Sequence, residues 1–493
     1  MGRTLTNNFS LQYAKEDSLG VLPGSPAWKL LEPNAVNGFG ATITTVPRSP
    51  ISKNRQRKKG SITDLDSGVE FDADWTLDSF IDFIEGFCFS EFKGADVHVP
   101  TAVIAAGYTV PTMSAAVAEN TLIVARGAVN SGNNGFKVVT SGGTTTQIDV
   151  VGGGLTPETI AATRNPSVEI AGFRFATGDL EVNSSGNLIS TVKDFTELPI
   201  AVGQTIHVGG EATANKFAEA ANYSYARVVT IAANVITLDK KLTTFVTDDG
   251  AGKDVDLLFG RFIKNVAIDH ADFVESSFQF EGSYQDLADP SGDEYEYSLG
   301  NFCNTVGFEL PLTDKATVGF AFVGTDTEVP VVIGDRKTNA DSPGLPVQTT
   351  AFNTSSDLAR LRITETDETG LTTDFKSLTM NINNNVSPEK VLGTLGAKYM
   401  NTGNFEIDLE AQLLFTNSGV VSAIRANETL TMDFAISNDD GAIFVDIPAL
   451  TLGDGSKEYP VNESILINTT AQAFGDSVFG ASIQVSLFPY PPA

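Results

Sequence analysis

Hydrophobic and polar positions alternate with period two in two separated stretches of the chain. In the first, Val69, Phe71 and Ala73 alternate with Glu70, Asp72 and Asp74. In the second, Phe405, Ile407, Leu409 and Ala411 alternate with Glu406, Asp408 and Glu410. Each pattern predicts a strand with one apolar and one acidic face. Each is preceded by a glycine (Gly68, Gly403), a long loop and an earlier β-rich run, ATITTV at 41–46 and SLTMNIN at 377–383. The shared order of strand, loop, glycine and acidic strand reads as a duplicated sheet unit. After the first copy the period changes. Leu77, Phe80, Ile81, Ile84 and Cys88 share one helical face, with Asp78, Asp82 and Glu85 opposite, and Asp74 or Thr76 stands where an N-cap would be. That predicts a helix over 77–88 lying on the sheet.

The rest of the chain is strand-rich and turn-rich. Residues 1–39 read as an extended arm docked through Trp28, Leu30 and Leu31. Residues 95–260 carry short β-like runs between Gly, Asn and Thr turns, which predicts small all-β modules with a break near 180–195. Because the earlier element types resume after it, this stretch reads as an insertion, and as an outward one that the rest of the fold can do without. The predicted organisation is mainly β with minor α. Residues 1–94 and 261–330 form a first domain around the inserted 95–260. A connection at 331–370 follows, then a second domain of the same kind at 371–493, each domain having a long strand–strand loop.

Charge sharpens this picture. The chain has 493 residues, 32 Lys+Arg against 61 Asp+Glu and a net charge of −29. Most of its surface should repel nucleic acid and anionic membranes. The loop PRSPISKNRQRKKG, 47–60, is the exception, with Arg48, Lys53, Arg55, Arg57, Lys58 and Lys59. Three readings compete for it: nucleic-acid binding, which lacks interleaved aromatics; a merely solvated loop; and pairing with the acidic surface of another copy, which uses the charge asymmetry directly. The acidic strand faces either meet bulk water or line a shared, negatively charged passage.

Candidate chemistry is sparse. Cys88 and Cys303 form no CxxC pair, and His98, His207 and His270 have no partner at metal spacing. His270 in IDHAD reads as a strand end or turn rather than an ion site. No HExxH, GxSxG, Walker A or EF-hand pattern occurs, and GAGKD at 250–254 lacks the residues of a phosphate loop. We therefore expect no catalytic, cofactor or metal residues, and no enzyme. No leader is visible at Met1, and no apolar run reaches the roughly 18 residues of a membrane helix.

The arm, the loop leading through Gly60 and Gly68 into VEFDADW, the helix after it, SLTMNINNNV…LG…TGNFEIDLE and the closing ASIQVSLFPYPP together resemble a tail tube (major tail) protein of a long-tailed, non-contractile bacteriophage. The inserted runs are similar to modules within such proteins. The resemblance implies a β-sandwich with a flanking helix, subunits whose sheets join into rings, and stacked rings forming a virion tube crossed by DNA. It implies assembly in the bacterial cytoplasm, with tape-measure, tail terminator and distal tail proteins as partners. It also implies that the 47–60 loop reaches a neighbour and that Glu70, Asp72, Asp74, Glu406, Asp408 and Glu410 line the lumen. A duplicated unit favours a homotrimeric over a hexameric ring. The competing reading is a β-rich adhesive or carbohydrate-binding surface module.

Overall fold

The computed structural model describes residues 5–490 except 52, 54, 55, 95, 162, 163, 165, 286–291, 347, 348, 366–370, 372, 373 and 417. It is mainly β, with several sheets and, among the described residues, no closed barrel.

Two units of the same topology make up the body. The first uses β1 (Phe9–Lys15), β2 (Ala35–Arg48), β3 (Lys58–Asp74), α1 (Ile81–Cys88), β4 (Phe278–Tyr284), β5 (Glu294–Leu310) and β6 (Thr317–Gly324). All neighbours are antiparallel, in the order β1-β4-β5-β6-β3-β2. The second unit uses β7 (Leu358–Thr364), β8 (Phe375–Asn383), β9 (Glu406–Leu414), α2 (Gly419–Ala426), β10 (Leu430–Asn438), β11 (Gly441–Glu458) and β12 (Leu466–Ala473). Its order is β7-β10-β11-β12-β9-β8. Each helix follows the acidic strand and ends in a left-handed residue, Phe89 (φ 50°) or Asn427 (φ 51°). A last strand, β13 (Gln484–Phe488), pairs with the start of β11.

Strand length explains the layering. β5 pairs with β4 through its first half and with β6 through its second, so it crosses from one layer to the other. The core lies between the layers. Phe83 of α1 sits 4.5 Å from Tyr13, 5.2 Å from Phe278 and 5.1 Å from Phe322 by ring centroids. Rings at these separations add to the burial of their area.

Several expectations need correction. The strand expected at 41–46 runs from 35 to 48, and Pro47 lies inside it at a register shift where no ladder donor is needed. The β3 strand starts at Lys58, so the connection shrinks to 49–57, and Arg48, Lys58 and Lys59 belong to strands. The helix begins at Ile81. Neither Asp74 nor Thr76 caps it; Thr76 donates to the Ser79 hydroxyl instead. Its buried face also takes in Phe83 and Phe87. Trp28 and Leu31 are buried as expected, whereas Leu30 is half-exposed. β7 lies within the stretch read as a connection, 331–370, yet it is an integral strand of the second unit.

Residues 97–259 form two β cores that share the strand Ser167–Arg174. Leu180, Val182, Leu188 and Phe195, from the stretch 180–195, all lie within the second of these cores. This region packs on the second unit. The Tyr225 ring lies tilted, 4.9 Å from that of Phe444, and the two form one apolar cluster with Leu242, Ala435, Ala442 and Phe488.

Candidate assembly surfaces

Pairing of β3 with β6 and of β9 with β12 fixes which face each acidic residue occupies. Val69, Phe71, Ala73, Ile407 and Leu409 are buried in the core. Period two then turns Glu70, Asp72, Asp74, Glu406, Asp408 and Glu410 to the opposite face. Glu70, Glu406, Asp408 and Glu410 are exposed; Asp72 and Asp74 are half-buried. Between the two acidic strands this face carries mostly small or neutral residues, such as Gly319 and Ala321 of β6, Thr305 and Gly307 of β5, and Asn381 of β8, together with one further exposed carboxylate, Glu309 of β5. Glu70, Glu406, Asp408 and Glu410 form no ion pair among the described residues. Asp74 is matched by Lys315 at 2.7 Å. Burial works against its charged form, but hydrogen bonds from Lys315 and Asn34 hold its carboxyl below the usual range.

Hydrogen bonding also aligns the two copies. Trp75 donates its backbone N–H to Ala316 and Phe415 to Ile465, both at 2.9 Å, so Asp74↔Thr317 matches Leu414↔Leu466. Glu70 is therefore equivalent to Glu410, and Asp66 to Glu406. The alignment by glycine and charge, which set Glu70 against Glu406, is four residues out of register.

One joint unites the units. The second half of β5 pairs with β8: Val306↔Ile382, Phe308↔Met380 and Leu310↔Leu378. All six side chains are buried. The result is one continuous run of strands, β2-β3-β6-β5-β8-β9-β12-β11, with an acidic outer face and two ends.

The basic segment projects from this run as the tip of the β2–β3 hairpin. Arg48, Lys53, Arg57, Lys58 and Lys59 are exposed and make no ion pair among the described residues; Arg55 lies outside them. Ile43, Val46, Ile51 and Ile62 are exposed on the same hairpin. At its base Lys390, from the second-unit loop between β8 and β9, clasps Asp64 at 2.5 Å and Asp66 at 2.6 Å.

Two features escaped the sequence reading. The first is that clasp. The second is a buried charged joint between the insertion and the second unit. Arg227 meets Asp446 at 2.8 Å and Asp239 at 2.5 Å, while Arg360 pairs with Asp433 and donates to the Leu242 carbonyl. Burial raises the Asp433 carboxyl to about 7 and that of Asp446 to about 6, only partly offset by the adjacent guanidiniums. A lone Arg in YARVV and lone Asp residues in LTMDFAI and AIFVDIPAL were the available signals, because a charge in an apolar strand needs a buried partner.

The histidines do not converge. Burial pushes His207 down to about 3, and its ring contacts the Gly209 carbonyl; His270 lies beside Asp272 on the surface. No group of three or more His, Cys, Asp or Glu among the described residues could hold a metal ion. Among them no helix is long and apolar enough to cross a membrane.

The family model for phage tail tube proteins matches residues 6–473, nearly the whole chain. A search of the curated proteins finds no match.

Proposed function

The chain belongs to the phage tail tube protein family, and from that premise we propose that three copies close into a ring whose inner wall is the acidic sheet face, and that stacked rings form a conduit for DNA. Membership makes it a structural component of the virion that self-associates into the tube. The finer reading rests on one observation: two equivalent units already stand edge to edge in one chain, joined by β5 and β8. Three such chains present six units in a closed circle. A carboxylate wall then keeps phosphates from adhering, through repulsion across a few ångströms of water. The basic hairpin tip supplies the opposite charge for contact with the next copy. A density map of the assembled tube tests this. Three chains per ring with Glu70 and Glu410 facing inward is the expected result. Six chains per ring, or these residues on the outer wall, overturns it. Partnership with tape-measure, terminator and distal tail proteins and a long non-contractile tail belong to the same proposal.

A further inference from the structure

The internal joint has a counterpart with no partner. In the duplicated topology β2 is equivalent to β8, and β11 to β5. β8 has both edges paired, one with β9 and one with β5. β2 is paired only with β3, so its other edge is free among the described residues. β11 is likewise open. Its first half pairs with β10, and its second half pairs with β12 on the side that β6 takes on β5. The side of β11 that corresponds to the β8 side of β5 meets no described strand beyond Leu450. One chain thus carries one filled joint and the two halves of another, at the two ends of its strand run.

The register of that second joint can be transferred residue by residue. Val36↔Phe71, Gly38↔Glu70, Phe39↔Val69 and Gly40↔Gly68 match Leu378↔Ala411, Thr379↔Glu410, Met380↔Leu409 and Asn381↔Asp408. On the other side, Glu458↔Leu466 and Lys457↔Ile467 match Glu309↔Thr317 and Phe308↔Val318. Tyr459 follows where Leu310 stands, and Ser456 takes the place of Gly307 before a register shift at Asp454. Resting on the ring reading above, we propose that β2 of one copy pairs antiparallel with β11 of a second copy: Val36 opposite Tyr459, Gly38 opposite Glu458, Phe39 opposite Lys457 and Gly40 opposite Ser456. We further propose that this joint is a weakened copy of the internal one.

The weakening is written in the core-facing pairs. Inside the chain these are Phe308 with Met380 and Leu310 with Leu378, all buried. Between copies they become Lys457 with Phe39 and Tyr459 with Val36. Lys457 is exposed in the free chain and lays its ammonium 3.9 Å over the Phe415 ring, while Tyr459 is 71 % exposed. Lumen-facing positions pair Glu458 with a glycine, which offers no side chain. Open edges with a charged residue and a register shift are how a strand avoids pairing indiscriminately. Two free chains would join poorly, and closure of all three joints together favours the complete ring.

Cysteine pairing tests the register. Residues directly opposite in an antiparallel ladder bring their Cβ atoms within about 4.5–5.5 Å, close enough for a short thiol linker. The assembled Phe39→Cys/Lys457→Cys chain should yield covalent dimers and trimers, and neither single variant should. Phe39→Cys/Ser456→Cys places the thiols on opposite faces and should link at least about tenfold less. Cys88 and Cys303 are buried and give no background. Tubes that form but do not link through Phe39→Cys/Lys457→Cys overturn the joint and leave the ring reading standing. Chains that never assemble, wild type included, overturn the ring reading itself. If the double variant fails to fold, hydrogen exchange on wild-type tubes decides: residues 36–40 and 456–459 must gain protection relative to the free chain. Lys457→Phe should lower the concentration needed for assembly by roughly tenfold, by restoring one apolar pair. An unchanged or raised requirement overturns the weakening.

Discussion

A lone aspartate in an apolar strand either finds a buried cation or destabilises the fold, and Asp446 and Asp433 find theirs. Because burial costs the charged form more than the guanidiniums return, both carboxyls titrate above their unfolded range. Folding therefore favours their protonated forms. Their stabilising contribution is complete below about pH 4, the unfolded carboxylate value, and is lost as pH rises through about 6 and 7. The thermal midpoint should accordingly fall by several degrees between pH 5 and pH 8, and Asp433→Asn should flatten that slope whatever it does to the midpoint itself. A midpoint that rises over this interval would contradict the assignment. Arg227 bears on the same joint from the other side. Its side chain is almost wholly buried, so Arg227→Met leaves Asp446 without its nearest cation. The expected cost is about 3–5 kcal/mol, read by denaturant unfolding of the second unit.

At the scale of elements, the β2–β3 hairpin and its second-unit counterpart differ most. The unit-two loop folds back and places Lys390 against the base of the hairpin. The hairpin itself extends past that clasp, with its basic and apolar residues exposed. Such a tip contributes little to its own core, because exposed charges in water are worth at most about 1 kcal/mol each. Reversal of Arg57, Lys58 and Lys59 to Glu should therefore leave the thermal midpoint within a degree or two of wild type while abolishing polymerisation. Negative-stain micrographs at ordinary salt give the answer; tubes of normal length would remove the hairpin from the list of connectors.

Across the whole molecule, the insertion holds the second unit from outside. Reading it as dispensable rested on its place between two parts of the first unit. Tyr225, Arg227 and Leu242 instead cover Phe444, Phe488, Asp433 and Asp446. Replacing residues 97–259 by a short Gly/Ser bridge, although cheap in loop closure, should expose a patch of aromatic rings and leave Asp446 without Arg227. Aggregation or loss of soluble chain is the expected outcome, measured by size-exclusion chromatography. A soluble, ring-forming deletion chain would restore the decorative reading.

Much of this architecture was present in the order of residues. Alternation along 69–74 and 405–411 determined both acidic strands and their faces, because a period of two admits only one partition of the side chains once the apolar set is buried. Composition determined the all-β character of the insertion, and charge asymmetry singled out the hairpin tip. Register was not legible. Gly68 and Gly403 invited an alignment that the Trp75 and Phe415 amides correct by four residues, since only the neighbouring strand defines which residues are equivalent. The α2 helix did not stand out because it buries only Val420 and Ala423, whereas the equally short α1 buries five residues opposite its carboxylates. Pairings between distant segments depended on tertiary structure alone: β5 with β8, Lys390 with Asp64, Arg227 with Asp446. Local sequence specifies what a strand can present to a partner. Which partner lies beside it follows from closure of the whole sheet, and that closure decided where this chain has free edges and where it has none.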